Sequence, residues 1–116
     1  MTAKINYKRT VLHKDKYVEV VVITWPKNSR SAAHDHGESS GLIRVLSGNI
    51  YQDVYHKKTR RFIERLKYKK GDTLVETPDL IHIMGNASQT KSAQALHIYT
   101  PPLKMKVFED HELKKK

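Results

Sequence analysis

The sequence predicts an all-β protein, built as a sandwich or a closed barrel. Many short segments are rich in β-branched and aromatic residues, turn residues separate them, and no segment repeats its apolar residues with a long helical period. Such a series of short strands is typical of folds in which two sheets enclose one core. The 116 residues fit a single domain over 1–116, with a core at about 7–108 and a basic C-terminal tail at 109–116.

Seven segments carry the strand signal. Ser47-Gly48 and Lys70-Gly71-Asp72 are turn signals between neighbouring strands, and Pro101-Pro102 ends the last one. The predicted strands are Tyr17–Trp25, Leu42–Leu46, Asn49–Tyr55, Arg61–Tyr68, Thr73–Glu76, Ile81–Met84 and Ala93–Tyr99.

Three segments permit a second interpretation. Arg61–Tyr68 also fits a helical turn, because its apolar residues are spaced for either structure. Lys104–Phe108 is short enough to be an added edge strand, which would offer unpaired backbone groups to a second copy in a homodimer. Glu109–Lys116 is the one plausible helix, or else a disordered end.

Composition excludes several classes of protein and of site. The chain has no cysteine, so disulfides, thiolate ligands and cysteine nucleophiles are excluded, and a metal must be held by His, Asp, Glu or carbonyl oxygen. No apolar run approaches the length of a membrane span, and the N-terminus lacks the apolar centre of a signal peptide. We therefore expect a cytoplasmic protein.

The net charge of +10 attracts anions in general. Basic residues concentrate at His56–Lys70 and Lys114–Lys116. A solvated strand face and a frayed terminus explain both runs better than a nucleic-acid surface, because no recognition helix accompanies them. Nucleic acid is therefore not an expected partner.

Three histidines form the strongest functional signal. Side chains at i and i+2 of a strand share a face, so His34 and His36 point the same way. His82 lies in another predicted strand, where a lone histidine is more often a satisfied core residue. Taken together, the three imidazoles predict a site for a borderline metal such as Fe(II). The remaining histidines in polar, Lys-rich surroundings are expected at the surface: His13, His56 and His111.

The order of these residues resembles the cupin superfamily, which has a jelly-roll barrel also called a double-stranded β-helix. The first cupin motif matches His34-Asp35-His36 followed by Gly48, and the second matches Gly71-Asp72, Pro78, His82 and Asn86. Many cupins carry a ligating Glu four or five residues after the second histidine, where this chain has Ser40-Gly41. Glu38 is therefore considered as a displaced fourth ligand.

The missing carboxylate indicates a subfamily, the thiol dioxygenases, chiefly cysteine dioxygenase type I. Ala33-His34-Asp35-His36 and Leu46-Ser47-Gly48-Asn49 resemble that family. Ala95–Pro102 resembles its H-x-Y-S-P-P ending, and Tyr7-Lys8-Arg9-Thr10 falls where the family carries Y-x-R-N. The resemblance covers Tyr7–Pro102.

The resemblance implies a non-haem Fe(II) enzyme that adds O2 to the sulfur of cysteine or a related small thiol carboxylate and yields a sulfinate. His34, His36 and His82 would hold the iron. A site of neutral imidazoles leaves the thiolate to supply the negative charge that a carboxylate supplies elsewhere.

The resemblance also implies roles for four further residues. Arg9, with Tyr7, would bind the substrate carboxylate, since a guanidinium fork matches two oxygens. Tyr99 and His97 would form the catalytic pair, in which His97 orients the Tyr99 hydroxyl and Tyr99 acts on oxygen or substrate. The alternatives are an ordinary surface arginine and a Tyr–His pair that only satisfies buried polar groups. Ala95 stands where the family often has a serine that extends this relay.

Two other functions stay open. One is a general cupin that binds Mn, Ni or Zn, uses Glu38 as fourth ligand and acts on another small anion. The other is a non-enzymatic, ligand-sensing cupin whose basic surface meets an acidic partner.

Overall fold

The structure, a computed structural model, describes residues 4–114. It consists of strands and a single short 3-10 turn, which confirms the all-β prediction. The strands are β1 (Lys4–Ile5), β2 (Lys8–Lys14), β3 (Glu19–Trp25), β4 (Ser29–Arg30), β5 (Ala33–His34), β6 (Ser40–Ser47), β7 (Asn49–His56), β8 (Phe62–Lys69), β9 (Thr73–Glu76), β10 (Leu80–Asn86), β11 (Ala93–Thr100) and β12 (Val107–Phe108).

The strands form two sheets. One has the order β2-β3-β11-β6-β9, and all of its pairs are antiparallel. The other is centred on β10, which pairs with β7 along one edge and with the short β4 and β5 along the other. β8 extends this sheet beyond β7, while β1 and β12 extend it beyond β4 and β5.

The main core lies between the two sheets. Alternate residues of β3 and β6 are buried while their neighbours face outward, as the period of two requires. The buried side chains of β3 and β6 pack against residues of β7 and β10 in one cluster. Each CH₂ group buried there stabilises the fold by about 0.8 kcal/mol. Its members are Val21, Ile23, Trp25, Ile43, Val45, Ile50, Leu74, Met84, Ala93 and Ala95.

A second cluster covers the other face of β10. Ile81 and Ile83 alternate with the inward-facing residues of the strand and pack against Phe108 and Leu113 of the C-terminal segment. β10 is therefore buried on both faces, which explains its continuous burial from residue 81 to 86. Through Leu113, the described part of the predicted tail joins this second cluster.

Several predicted boundaries are corrected. The first predicted strand begins at Glu19, not Tyr17, because Asp15 accepts hydrogen bonds from the backbone of Tyr17 and Val18 and holds a turn there. The segment predicted at Arg61–Tyr68 is strand β8, at Phe62–Lys69, and not a helical turn, since its backbone pairs with β7 along its length. The predicted edge strand is confined to Val107–Phe108.

The predicted C-terminal helix is also wrong for the residues described. Only Asp110–Glu112 form a 3-10 turn, and the last two residues lie outside the described part of the chain. Strand β2 was missed. Most of its side chains are exposed, so its sequence has no alternation to reveal it, and pairing with β3 alone defines it.

Gly48 allows the turn between β6 and β7. Its φ of +71° belongs to the left-handed region, and a Cβ there would lie 2.7 Å from the carbonyl oxygen of Ser92. Glycine is therefore required both by the backbone conformation and by the close approach of the chain before β11.

Candidate metal centre and active site

The three predicted histidines converge inside the barrel. His34 on β5 is the register partner of His82 on β10, and His36 lies in the loop that follows β5. The ring centroids are 5.0 Å apart for His34 and His36, and 4.7 Å apart for His36 and His82. All three side chains are buried, so the separate segments bring one imidazole cluster together.

A buried carboxylate joins this cluster. Glu76 ends β9, and its Oε2 lies 3.2 Å from His36 Nε2 and 3.4 Å from His82 Nδ1. One donor atom from each of these three residues falls within 4.8 Å of the others, a spacing that suits a single metal ion. The sequence led us to expect a site without an acidic group, and the structure differs on this point.

Burial sets the charge state of the cluster. It lowers the pKa of His36 to about 3 and that of His82 to about 4, and each effect is increased by repulsion from neighbouring histidines. Burial also lowers the pKa of His34 and raises the pKa of Glu76 to about 8. Imidazoles kept neutral by burial present the lone pairs that a metal binds.

The polar atoms of the cluster test whether a metal fits there. His36 Nε2, His82 Nδ1 and Glu76 Oε2 are buried and have no hydrogen-bond partner within residues 4–114. His34 Nδ1 bonds to the carbonyl oxygen of Ala32 at 2.8 Å, which leaves Nε2 as its remaining donor atom. Buried polar atoms normally have a hydrogen-bond partner or a metal ion bound to them. A metal ion would be a suitable partner for these three unpaired atoms.

Tyr99 and His97 form a second buried pair. They are neighbours on one face of β11, and His97 Nδ1 shares a hydrogen bond of 2.8 Å with the Tyr99 hydroxyl. Burial lowers the pKa of His97 to about 3 and raises that of Tyr99 well above 10, so both are neutral near pH 7. The Tyr99 and His36 rings are 5.9 Å apart, which places the phenol beside the metal cluster.

Arg9 and Tyr7 line a small cavity together with His34, Glu76, His97 and Tyr99. The cavity has a volume of about 20 Å³, enough for about one water molecule. Arg9 Nη2 is 3.2 Å from Oε2 of the buried Glu19, so the predicted carboxylate-binding residue has an internal partner. The residues lining the cavity are Tyr7, Arg9, Ile23, Trp25, Ser31, His34, Glu76, Met84, His97, Tyr99, Leu103 and Met105.

Glu38, considered as a fourth ligand, is not part of the cluster. Its side chain is exposed on the turn after His36, whereas the clustered donor atoms are buried. The acidic side chain beside the histidines is that of Glu76 instead. One signal in the sequence could have found it, because Glu76 shares the inward face of β9 with the buried Leu74.

Two residues near the histidines, Asp35 and Asn86, hydrogen-bond to the backbone of neighbouring segments. Asp35 accepts hydrogen bonds from the backbone N–H groups of Gly37 and Lys106. The Asn86 amide donates to the carbonyl oxygens of Trp25 and Lys91. Both fix the loops that enter and leave the strands carrying the histidines.

The remaining predicted surface groups lie where expected. His13, His56 and His111 are exposed. Arg65, inside the basic run, makes a two-point ion pair with Asp53 at 2.6 and 2.9 Å and stacks on Tyr51 at 4.0 Å. Within residues 4–114, no helix is long and apolar enough to cross a membrane.

The chain is similar in sequence to one known protein family. The family model described as cysteine dioxygenase type I matches residues 3–111. Cysteine dioxygenase type 1 of Bos taurus is 27% identical over 89 residues, and that of Rattus norvegicus is 28% identical over 90 residues. Each match covers 72% of this chain and 44% of the relative, so the chain spans less than half the length of these relatives.

Solved structures show the same fold at lower identity. A double-stranded β-helix protein from Klebsiella pneumoniae has a TM-score of 0.75 and 18% identity, over 90% of this chain and 86% of the other. A cupin domain from Bordetella pertussis has a TM-score of 0.66 and 11% identity, over 88% of this chain and all of the other. The predicted cupin fold is confirmed.

Proposed function

Because the chain belongs to the cysteine dioxygenase type I family, we propose that it is a metal-dependent dioxygenase acting on the sulfur of cysteine or a related small thiol carboxylate. In the overall reaction, R–SH and O2 give R–SO2H, so both oxygen atoms end on sulfur. The observation that carries the proposal is one cavity lined together by His34, the Tyr99–His97 pair and Arg9.

The first part of the proposal is an Fe(II) centre held by His34, His36 and His82. Its support is the convergence of three buried imidazoles whose low pKa keeps them neutral at physiological pH. Fe(II), when bound, supplies the redox chemistry that allows dioxygen to react with a thiolate. The chain supplies a water-poor pocket, which strengthens every electrostatic interaction within it.

The second part assigns substrate binding to Arg9 and Tyr7. Arg9 is 3.2 Å from Glu19, and the carboxylate of a substrate would share the same guanidinium. A planar fork has five N–H donors, so it can hold both carboxylates at once. Because Glu19 also accepts the N–H of Leu103, it fixes the position of the arginine against the cavity wall.

The third part gives Tyr99 a proton-handling role. In the tautomer with hydrogen on Nδ1, His97 donates to the phenol oxygen, and the phenol proton is free to point toward a ligand. Because the pKa of Tyr99 is raised by burial, the hydroxyl keeps this proton near pH 7. Tyr99 would then donate a hydrogen bond to oxygen or sulfur in the cavity.

The carboxylate of Glu76 favours a second candidate. A cupin with two or three histidines and a carboxylate also suits Mn, Ni or Zn and another small anionic substrate. Metal identity separates the two candidates. A cytoplasmic location and a homodimer through the Lys104–Phe108 edge remain predictions.

The test is oxygen uptake by protein loaded with Fe(II) under anaerobic conditions. We expect uptake with L-cysteine, 3-mercaptopropionate or mercaptosuccinate, with the sulfinate as product. Arg9→Gln should raise the KM for these acids about 10-fold or more, since it removes a charge-assisted hydrogen bond. The KM for cysteamine, which has no carboxylate, should not change. Stoichiometric iron without uptake on any of the four thiols would refute the proposal.

A further inference from the structure

Glu76 faces the interior of the barrel, across the sheet from a glycine. On β9 its side chain points inward while Val75 points to solvent, and the side chain is only 2% exposed. Its register partner on β6 is Gly41. A Cβ at Gly41 would lie 3.0 Å from Tyr99 Cε1 and 3.6 Å from Glu76 Cβ. The missing side chain therefore makes room for the Tyr99 ring, whereas 3.6 Å from Glu76 Cβ is an ordinary van der Waals contact.

The contacts of Glu76 suit a cation shared with two histidines. Its Oε2 is 3.2 Å from His36 Nε2 and 3.4 Å from His82 Nδ1, and none of the three atoms has a hydrogen-bond partner among the described residues. When the Glu76 carboxyl is ionised and the two facing ring nitrogens carry no proton, all three atoms present lone pairs, which repel at these distances. One proton would bridge one of the two contacts, whereas one metal ion placed among the three atoms would satisfy all of them.

We propose that Glu76 is itself a metal ligand and that it completes the centre with His36 and His82. The inference rests on the metal centre of the proposed function and adds an anionic donor to its histidines. The ligand set is then carried by three separate segments, namely the loop after β5, the end of β9 and the middle of β10. The bound ion has one negative protein ligand before any substrate arrives.

Metal binding to the full-length chain tests this without enzyme turnover. Metal-free protein is titrated with Co(II), whose visible absorption spectrum reports the number and kind of ligands. Glu76→Gln should weaken Co(II) binding by about 100-fold or more, because loss of a direct ligand exceeds the 10–100-fold effect of outer partners. It should also change the spectrum. Glu38→Gln is the matched control, since it makes the same change on an exposed side chain and should leave both unchanged.

A stability measurement separates a ligand from a structural residue. Within residues 4–114, Glu76 Oε2 is buried without a hydrogen-bond partner, so metal-free Glu76→Gln should unfold at the same or a higher temperature than the metal-free wild type. Metal should then raise its midpoint less than that of the wild type. A lower metal-free midpoint with an unchanged metal-induced shift would assign Glu76 a purely structural role and overturn the inference.

Two outcomes keep this inference distinct from the proposed function. Wild-type affinity and spectrum in Glu76→Gln overturn the ligand role, while oxygen uptake by the iron protein would still support the dioxygenase. A changed spectrum supports the ligand role even when no thiol is oxidised. Where Glu76→Gln does not fold, Glu76→Asp retains the carboxylate one methylene shorter, and a spectrum unchanged from the wild type would overturn the inference.

Discussion

Tyr99→Phe removes one hydroxyl group from the buried pair that Tyr99 forms with His97. The two groups are 2.8 Å apart, and their residues are 2% and 1% exposed. His97 Nε2 already has no hydrogen-bond partner within residues 4–114. The substitution therefore leaves a buried imidazole with neither ring nitrogen paired.

The expected loss of stability follows from this pairing. Leaving a buried polar group without its partner costs about 1–3 kcal/mol, so we expect a decrease of about 2 kcal/mol in the free energy of unfolding. A chain of 116 residues has an unfolding entropy of about 0.24 kcal/mol per kelvin. The midpoint of thermal unfolding should therefore fall by about 8 °C.

Urea and thermal unfolding of the metal-free protein measure the effect. Tyr17→Phe is the matched control, because it removes a hydroxyl from a side chain that is 68% exposed and should change stability by less than about 0.5 kcal/mol. A Tyr99→Phe variant as stable as this control would refute the reasoning, since the bond would then contribute nothing. In the iron-loaded protein, the same variant should lower kcat about 100-fold with little change in KM. Normal turnover with reduced stability would make Tyr99 a structural residue only.

Two further predictions concern His97. Ala95 is fully buried on the same face of β11 as His97, so Ala95→Ser should offer a hydroxyl to the Nε2 of His97, which has no partner among the described residues. This hydrogen bond should add about 1 kcal/mol to the free energy of unfolding, and a lower free energy of unfolding in urea would contradict the prediction. Burial lowers the pKa of His97 from 6.5 to about 3, so its contribution to stability is complete above pH 6.5 and is lost as the pH falls from 6.5 to 3. In metal-free protein, His97→Gln should therefore lose about 2 kcal/mol less than the wild type between pH 7 and pH 5, and equal losses would show that the imidazole is not buried neutral.

The sequence predicts the strands well where one face is buried and one is solvated. Strand β9 has the predicted bounds, Thr73–Glu76. Strand β11 was predicted to end at Tyr99 and ends one residue later, at Thr100. These segments alternate strictly, so the pattern itself records which face meets the core. Lys8–Lys14 has no such pattern, because its side chains are mostly exposed and only backbone pairing with β3 holds it in the sheet.

The same reasoning explains what was predicted of the candidate site. The i and i+2 spacing of His34 and His36 predicted a common face on the assumption of one continuous strand. Strand β5 ends at His34, so His36 lies in the loop that follows, and the fold brings its ring within 5.0 Å of the His34 ring. Arg9 and Tyr99 were selected by resemblance, and the structure brings both to the cavity that His34 lines. Their roles in catalysis and binding remain predictions that the proposed kinetic experiments address.

The carboxylates beside these residues depend on the tertiary structure. Glu76 reaches the histidines because β9 pairs with β6 in the register that sets it opposite Gly41, and Glu19 reaches Arg9 because β3 pairs with β2. Strand alternation specifies which face a side chain occupies, but partners across a sheet are chosen by register between segments far apart in sequence. The sequence by itself therefore determined the barrel, the inward faces and the imidazole cluster. Only the folded arrangement decided that an acidic group meets that cluster and that Arg9, the predicted substrate-binding residue, already has an internal partner.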